Sequence, residues 1–358
     1  MTPTEIPSPQ FHEAKPINLL TVPETDPLSV YRYRDGIYAA DMLTTALVHL
    51  DLFSWLNSRP ASKEEILVHF QLHLRPTDVM LTLLRAMGYL ELLDNRWSVT
   101  RLAEEHLTAG SPWNLSHYYA SLKDRPVTLD LLRVLRTGKP ANWGSYKAEG
   151  DWHKAMENPG FAESFTAAMD CRGVYLGAAL AKHLQLYHFQ SLLDVGGGSG
   201  IYSCSLVSHH PHITATVLEK KPVDQIASKA IAKRGYQGQV NVLALDMFQS
   251  AWPTGYDLHL LSNVLHDWDE PEVNDLVRRS YNALLPGGMI IIHDAFINAD
   301  KSGSLSVASY SVILMHSTEG KCYSTTEYES FLAKAGFEEI TYKSTVADRG
   351  VMTARKPH

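Results

Sequence analysis

A glycine-rich run at residues 194–200 is the clearest sign of chemistry in this sequence. It follows a short apolar segment, Ser191–Val195, that predicts a strand. A glycine turn after a strand lets the backbone approach a ligand closely. Dinucleotide sites carry glycines as G-x-G-x-x-G. Here the spacing is G-x-G-x-G, and the glycines that define it are Gly196, Gly198 and Gly200. This spacing, led by Asp194, favours an aminoacyl tail over a pyrophosphate.

Two acidic residues lie where the next two predicted strands end. Glu219 comes nineteen residues after Gly200 and can accept hydrogen bonds from both hydroxyls of a ribose. Asp246 can accept from an adenine amino group, and the following Met247 and Phe248 can sandwich the ring. A carboxylate at the ribose also disfavours a 2′-phosphorylated cofactor, because like charges repel. Together with the glycine turn, these residues predict a site for S-adenosylmethionine.

A histidine follows the fourth predicted strand, within the segment Ser262–Glu270. A single histidine is more often structural than catalytic. His266, however, lies at the carboxyl end of a strand beside the predicted cofactor site, which is where open α/β sheets place their chemistry. It is therefore the candidate catalytic residue, and Asp267 beside it is a second.

At these residues the sequence resembles the small-molecule O-methyltransferases of the caffeate, hydroxyindole, phenazine and anthracycline type. The resemblance covers nearly the whole chain. It is carried by the motifs DVGGGSG, LDMF, LHDWDE and LLPGGMIIIHDAF and by the stretch from Glu319 to Gly336. It implies a helical winged-helix dimerisation region followed by a domain that binds S-adenosylmethionine and releases S-adenosylhomocysteine.

The resemblance also implies residue roles. His266 would be the general base that takes the proton from a substrate hydroxyl. The family usually orients this histidine with two glutamates, and here the corresponding residues are Asp294 and Cys322. A thiol cannot stabilise an imidazolium as a carboxylate does. Ser262 stands near a position that is often lysine in plant members and is counted with the cofactor-binding residues.

An aromatic stripe precedes the nucleotide domain. Phe161, Phe165 and Met169 are four residues apart, so they share one face of a helix. Core packing is one interpretation. The other, favoured by the resemblance, is a wall of a pocket for a flat aromatic substrate, with Cys322 also in contact with that substrate.

The N-terminal part predicts helices and a hairpin. Residues 28–57 have helical periodicity, Ser62 is a candidate N-cap, and Thr77–Met87 predicts a further helix ended by Gly88. A short hairpin is predicted at residues 90–99, which completes a winged-helix pattern. Between Asp41 and Glu105 there are six Lys or Arg against nine Asp or Glu. This balance disfavours DNA binding, which needs cations to neutralise phosphates.

From residue 191 the pattern predicts an α/β fold, a doubly wound Rossmann-like methyltransferase domain behind the helical N-terminal domain. Short apolar strands alternate with helices, which is typical of a parallel sheet. The predicted strands are Ser191–Val195, Ile213–Leu218, Val240–Leu245, Asp257–Leu261 and Met289–His293, then two late strands near Glu339–Lys343 and Val351–Ala354. We divide the chain into a proline-rich arm (1–27), a winged-helix-like dimerisation domain (28–110), a helical connector with the substrate pocket (111–187) and the nucleotide domain (188–358).

Composition narrows the classes of function. The chain has 358 residues and a formal net charge of −7, so neither nucleic acid nor an anionic membrane is an expected partner. Its three cysteines show neither zinc-site spacing nor a disulfide pattern, and no metal is expected. No membrane span or signal peptide is predicted, and a reducing cytoplasm fits the cysteine content.

Three hypotheses follow. The first is an S-adenosylmethionine-dependent O-methyltransferase acting on an aromatic hydroxyl of a secondary metabolite. The second keeps the fold and the cofactor but performs N- or C-methylation, or non-methylating chemistry such as cyclisation, hydroxylation or decarboxylation. The third is a DNA-binding regulator without enzymatic activity. The apolar N-terminal helices additionally predict a homodimer.

Overall fold

The computed structural model describes residues 17–141 and 155–358. Residues 1–16 of the predicted arm and residues 142–154 of the predicted connector lie outside the described residues. The described chain forms a helical N-terminal region and a C-terminal α/β domain, as predicted.

The N-terminal region is helical over the predicted residues, but in several short segments. Gly36 ends the first helix, and Asp51, with a left-handed φ of 50°, separates two others. The elements are α1 (Leu28–Asp35), α2 (Ala39–Thr44) with a π-helical continuation (Thr45–His49), α3 (Leu52–Ser58), α4 (Lys63–Phe70), α5 (Leu74–Ala86), the hairpin strands β1 (Leu90–Leu93) and β2 (Arg96–Val99), α6 (Arg101–Leu107), α7 (Ser116–Ala120) and α8 (Pro126–Thr137).

Local sequence accounts for two of these features. Ser62 caps α4 as predicted: its Oγ accepts from the Glu65 amide, and the Glu65 carboxylate accepts from the Ser62 amide. The hairpin β1–β2 pairs antiparallel through the predicted turn. Helix α5 begins three residues before the predicted Thr77, at Leu74.

A long helix, α9 (Pro159–His183), leads into the C-terminal domain. Asn158 caps it by accepting from the amide of Phe161 at 3.1 Å. Gly173 lies where α9 crosses the next helix, and a Cβ there would overlap the side chain of Ile201. The close crossing fixes one face of α9 against the helix that begins at Ile201.

The C-terminal sheet has seven strands in the order β5-β4-β3-β6-β7-β9-β8. Strands β3 to β7 are parallel, and β9 is antiparallel to both of its neighbours. The strands are β3 (Ser191–Val195), β4 (Thr214–Glu219), β5 (Val240–Ala244), β6 (Leu258–Ser262), β7 (Met289–Asp294), β8 (Glu338–Ser344) and β9 (Gly350–Arg355). The chain order reverses between β3 and β6, so a crevice opens at the carboxyl ends of these strands.

Five helices complete this domain: α10 (Ile201–His209), α11 (Val223–Lys233), α12 (Glu270–Ala283), α13 (Leu305–Ser317) and α14 (Thr325–Ala335). Helix α13 was not predicted. Its residues from Val307 to Ser317 are all buried, so the sequence shows no amphipathic stripe there. It packs against α5, α1 and α8 and belongs to the core of the N-terminal region. No described helix is long and apolar enough to cross a membrane.

Candidate active site

A cavity of about 530 Å³ opens at the carboxyl ends of β3, β4 and β6. Its walls come from two sources. Strand ends and the loops after them form one side, and residues of helices α1, α9 and α13 form the other. We call these the strand wall and the helix wall. The cavity lies at the point where the strand order reverses, as expected for a ligand site in this architecture.

The glycine turn lies in the strand wall. Gly196 and Gly198 line the cavity with left-handed φ values of 66° and 58°, a conformation that side chains disfavour. Gly197 lines it too, and a Cβ there would lie 2.6 Å from Asp194 Cγ. The turn thus presents bare backbone to a ligand.

Two of the predicted cofactor residues lie behind this wall rather than in it. Asp194 is fully buried and accepts from Ser203 Oγ at 2.7 Å. Burial raises its pKa to about 6, although the hydrogen bond from Ser203 opposes the shift. Gly200, with a φ of 75°, starts α10 and packs on Ile231. Among the described residues that line the cavity neither is found, so both shape the turn from behind.

Glu219 ends β4 and faces the cavity. Its carboxylate accepts from the Gly198 amide at 2.9 Å and from the Lys220 amide at 3.1 Å. Burial raises its pKa to about 7, opposed by these two backbone hydrogen bonds. The carboxylate is therefore tied to the glycine turn, where it can also accept from ribose hydroxyls.

Asp246, Met247 and Phe248 follow β5 and also line the cavity. Asp246 Oδ1 accepts from the Phe248 amide at 2.8 Å, which orders the loop. The Phe248 ring meets Trp268 edge-on, with centroids 4.4 Å apart. Trp268 lies in the cavity wall as well, and sequence reasoning missed it although it belongs to the LHDWDE motif. A planar base can pack in this aromatic corner.

His266 lies in a 3₁₀ turn, Leu265–Asp267, directly after β6. Its Nδ1 is 2.5 Å from Asp294 Oδ1, and its Nε2 is 3.7 Å from Asp267 Oδ1. All three side chains are buried or nearly so, and His266 and Asp267 line the cavity. Since the Asp294 carboxylate accepts from Nδ1–H, the other ring nitrogen is left to act as a base.

Asp294 ends β7 and is fully buried. It also accepts from the Ala295 amide at 2.7 Å and from Tyr328 Oη at 3.2 Å. Burial raises the pKa of this carboxyl, but the charge of His266 and the hydrogen bonds outweigh that effect, so its pKa lies below the usual value. Asp267 has the opposite balance: burial raises its pKa to about 6, with His266 opposing.

Ser262 and Cys322 have different surroundings. Ser262 lines the cavity at the end of β6, and its Oγ lies 2.9 Å from His293 Nδ1. Cys322 is buried, its amide donates to Ser311 Oγ, and burial raises the pKa of its thiol. It packs in the core of the N-terminal region and is absent from the described residues of the cavity wall. The structure therefore does not bring it to the substrate position predicted for it.

The aromatic stripe is only partly in the helix wall. Phe165 and Met169 line the cavity, whereas Phe161 is buried behind Phe165, with ring centroids 6.1 Å apart. Tyr31, Arg172 and Tyr310 are among the further residues of the cavity wall that sequence reasoning missed. Arg172 could have been found, since it lies three residues after Met169 and continues the same helix face.

Comparison with known proteins decides the family. The model of the O-methyltransferase domain matches residues 130–338. This chain belongs to the O-methyltransferase family. It is an S-adenosylmethionine-dependent enzyme, and the chemistry of the strand wall fits this cofactor: a bare glycine turn, the Glu219 carboxylate at the end of β4 and an aromatic corner.

Several relatives have related chemistry. The 3-hydroxy-5-methyl-1-naphthoate 3-O-methyltransferase of Streptomyces sahachiroi is 30% identical over 85% of this chain and 88% of its own length. The L-tyrosine C(3)-methyltransferase of Streptomyces lavendulae is 30% identical over 83% of both chains.

The same fold is seen in solved structures. An O-methyltransferase family 2 protein of Planctomyces limnophilus, crystallised with apigenin, has a TM-score of 0.86 at 29% identity and covers 95% of this chain and 99% of that one. Human N-acetylserotonin methyltransferase in complex with SAM has a TM-score of 0.60 at 23% identity, over 92% and 97% of the two chains.

Proposed function

We propose that this O-methyltransferase methylates an aromatic hydroxyl of a small secondary metabolite, with His266 as general base. The observation that carries the proposal is the His266–Asp294 pair, in which Nδ1 lies 2.5 Å from the carboxylate and His266 itself lines the cavity. Naphthoate- and apigenin-binding relatives support a flat, aromatic acceptor.

The chain's own residues perform the proton transfer. When bound, S-adenosylmethionine supplies a methyl group on a sulfonium centre, and S-adenosylhomocysteine remains after transfer. His266 Nε2 takes the hydroxyl proton of the acceptor, and Asp294 stabilises the imidazolium that forms. Phe165 and Met169 in the helix wall orient the aromatic ring, and the buried surroundings exclude water from the reacting groups.

The experiment is an assay of purified protein with S-adenosylmethionine and a panel of phenolic acceptors, measuring S-adenosylhomocysteine and the mass of the product. We expect His266→Ala to lower kcat by about 10²- to 10⁴-fold, the usual contribution of a general base. Its affinity for S-adenosylhomocysteine should be unchanged, because the strand wall remains intact. Loss of that affinity in His266→Ala would contradict the assigned role.

Methylation of ring carbon is the second candidate, and the relative that methylates C(3) of L-tyrosine favours it. The same base would serve, since removing the phenol proton raises electron density on the adjacent ring carbon. NMR of the product distinguishes the two, because an O-methyl group lacks the carbon–carbon connection of a C-methyl group. The alternative of non-methylating chemistry was motivated by the loss of a glutamate at Cys322, and no observation among the described residues favours it over methyl transfer.

We also propose that the enzyme is a cytoplasmic homodimer. Apolar side chains are exposed along the first described residues and around α7, among them Val30, Tyr33, Trp113 and Tyr118. The cysteines in the described residues are free thiols, which fits a reducing compartment. Light scattering should give twice the mass of one chain, and a single-chain mass at micromolar concentration would contradict the dimer.

A further inference from the structure

Arg172 extends the helix wall beyond its aromatic part. It lies on α9 at spacings of three from Met169 and seven from Phe165, so the three side chains share one face of the helix. All three line the cavity. The acceptor therefore meets a guanidinium at the end of an apolar strip.

Within the described part of the chain, the Arg172 guanidinium reaches few hydrogen-bond acceptors. Nη1 donates to Tyr310 Oη at 3.0 Å, and within residues 17–141 and 155–358 this is the one acceptor that the group reaches. Nε is buried without a partner among these residues. A guanidinium has five N–H donors, and leaving them unpaired away from water is unfavourable. The arrangement suits a ligand that brings acceptors of its own.

The local charge balance points the same way. Arg349 lies on the other side of Tyr310, with its guanidinium carbon 4.5 Å from the ring centroid. Its Nη2 pairs with Asp35 Oδ2 at 3.0 Å. Asp35 thus neutralises one of the two guanidiniums, and Arg172 has no ion pair with a carboxylate of the described chain. Asp35 and Asp267 influence Arg172 through charge without forming an ion pair with it, so among the described residues its guanidinium fork has no carboxylate in direct contact.

The position of Tyr310 ties this charge to the reacting centre. Its ring lies edge-on to the imidazole of His266, with centroids 5.8 Å apart. A group that binds Arg172 is thereby held close to the hydroxyl that His266 deprotonates. The cofactor residues Glu219 and Asp246 lie in the strand wall, on the other side of the cavity.

We propose that Arg172 determines acceptor specificity by binding a carboxylate, so that the preferred acceptors are hydroxylated aromatic acids. This inference rests on the proposed function and deepens it. Two oxygens of a carboxylate match the fork of a guanidinium, whereas a neutral phenol leaves it unpaired.

A matched pair of acceptors tests this proposal. 3-Hydroxy-1-naphthoic acid and 2-naphthol present the same ring and hydroxyl, with and without the carboxylate. Binding to the protein saturated with S-adenosylhomocysteine is measured by fluorescence titration, and turnover is measured with S-adenosylmethionine. We expect wild-type protein to bind the acid at least about tenfold more tightly than the naphthol, the usual value of one hydrogen bond to a charged group.

Variants locate the preference. Arg172→Met should abolish the preference: the affinity for the acid should fall, while the affinities for 2-naphthol and S-adenosylhomocysteine should stay within about twofold of the wild-type values. Arg172→Lys should retain part of the preference. Arg278→Met removes an exposed arginine of α12 and should keep the wild-type preference. Equal weakening of both acceptors, loss of S-adenosylhomocysteine binding in Arg172→Met, or no preference in the wild type would each overturn the proposal. Tight binding of the acid without methylation of its hydroxyl would instead refute the proposed function.

Discussion

Asp294 shows how one residue controls the chemistry of another. Asp294 stands where the resemblance to the family implies a glutamate, and its carboxylate at the end of β7 is fixed by three donors. Its pairing with His266 could be predicted from the sequence. Its third donor, Tyr328, could not, because it comes from a helix that reaches the site only through tertiary packing.

Replacing the charge at Asp294 tests this control. Asp294→Asn can still accept from His266 Nδ1–H but no longer stabilises an imidazolium, so we expect kcat to fall by about 10²-fold. Tyr328→Phe removes one hydrogen bond to Asp294 and should lower kcat by less than Asp294→Asn does. Steady-state kinetics with saturating S-adenosylmethionine measures both. Equal losses in the two variants would show that packing, rather than charge, is what Asp294 provides.

Glu219 predicts a pH dependence of cofactor binding. Burial raises its pKa to about 7, whereas the ribose hydroxyls of the proposed site would hydrogen-bond to the charged form. We therefore expect affinity for S-adenosylhomocysteine to increase as pH rises through about 7, with protons released on binding. Calorimetry at pH 7 in buffers of different ionisation enthalpy measures that release. It should be smaller in Glu219→Gln, and equal release in both proteins would contradict the role.

The same shift affects the stability of the cofactor-free protein. A carboxyl whose pKa is raised on folding binds its proton more tightly in the native state than in the unfolded state. The contribution of Glu219 to the free energy of unfolding is therefore fully present below about pH 4.5 and is lost as the pH rises to about 7. The melting temperature of wild-type protein should fall relative to that of Glu219→Gln across this window.

At the scale of elements, the sequence predicts the nucleotide domain better than the helical region. Five parallel strands were predicted within a residue or two, because short apolar runs between glycine and proline turns are distinctive. Helix α13 was missed because it is apolar on all sides. The N-terminal helices show periodicity, but their breaks at Gly36 and Asp51 depend on how they pack.

One glycine outside the nucleotide turn packs tightly against the turn that carries His266. A Cβ at Gly320 would overlap the carbonyl oxygen of His266, and the Gly320 carbonyl accepts from buried Arg75 at 2.8 Å. We expect Gly320→Ala to displace the turn that carries His266 and to lower kcat by about 10²-fold, since small misplacements of reacting groups are costly.

A matched alanine variant provides the control for that prediction. Gly238→Ala introduces a Cβ with no neighbour within 4 Å and should leave activity unchanged. If Gly320→Ala retained wild-type kcat, the close contact between Gly320 and the turn that carries His266 would have no catalytic importance.

At the scale of the whole molecule, a buried ion network joins the two regions. Asp78 of α5 pairs with Lys321 at 2.7 Å and with Lys301 at 2.8 Å, and both lysines also pair with Glu327. Burial raises the pKa of Asp78, but the neighbouring lysines outweigh it and hold that pKa well below its usual range. The network links the N-terminal helices to the loop that follows α13.

Removing one charge should destabilise this junction. Asp78→Asn leaves Lys321 buried beside a single carboxylate, and we expect a loss of about 3 kcal/mol in the free energy of unfolding. Asp275→Asn breaks ion pairs with Arg278 and Arg279 near the protein surface and should cost less than the buried network, about 1 kcal/mol. Urea denaturation measures both, and similar losses would show that the network adds no more than a surface pair.

The division of the cavity into a strand wall and a helix wall has an evolutionary consequence. Under the proposed function, the donor of the methyl group is held by loops that follow the strands of the sheet, and the acceptor by side chains on α1, α9 and α13. Substitutions on these helices can therefore change which molecule is modified without loss of donor binding. A lineage built in this way can diversify its products one helix face at a time, and laboratory libraries directed at positions such as 165, 169, 172 and 310 follow the same route.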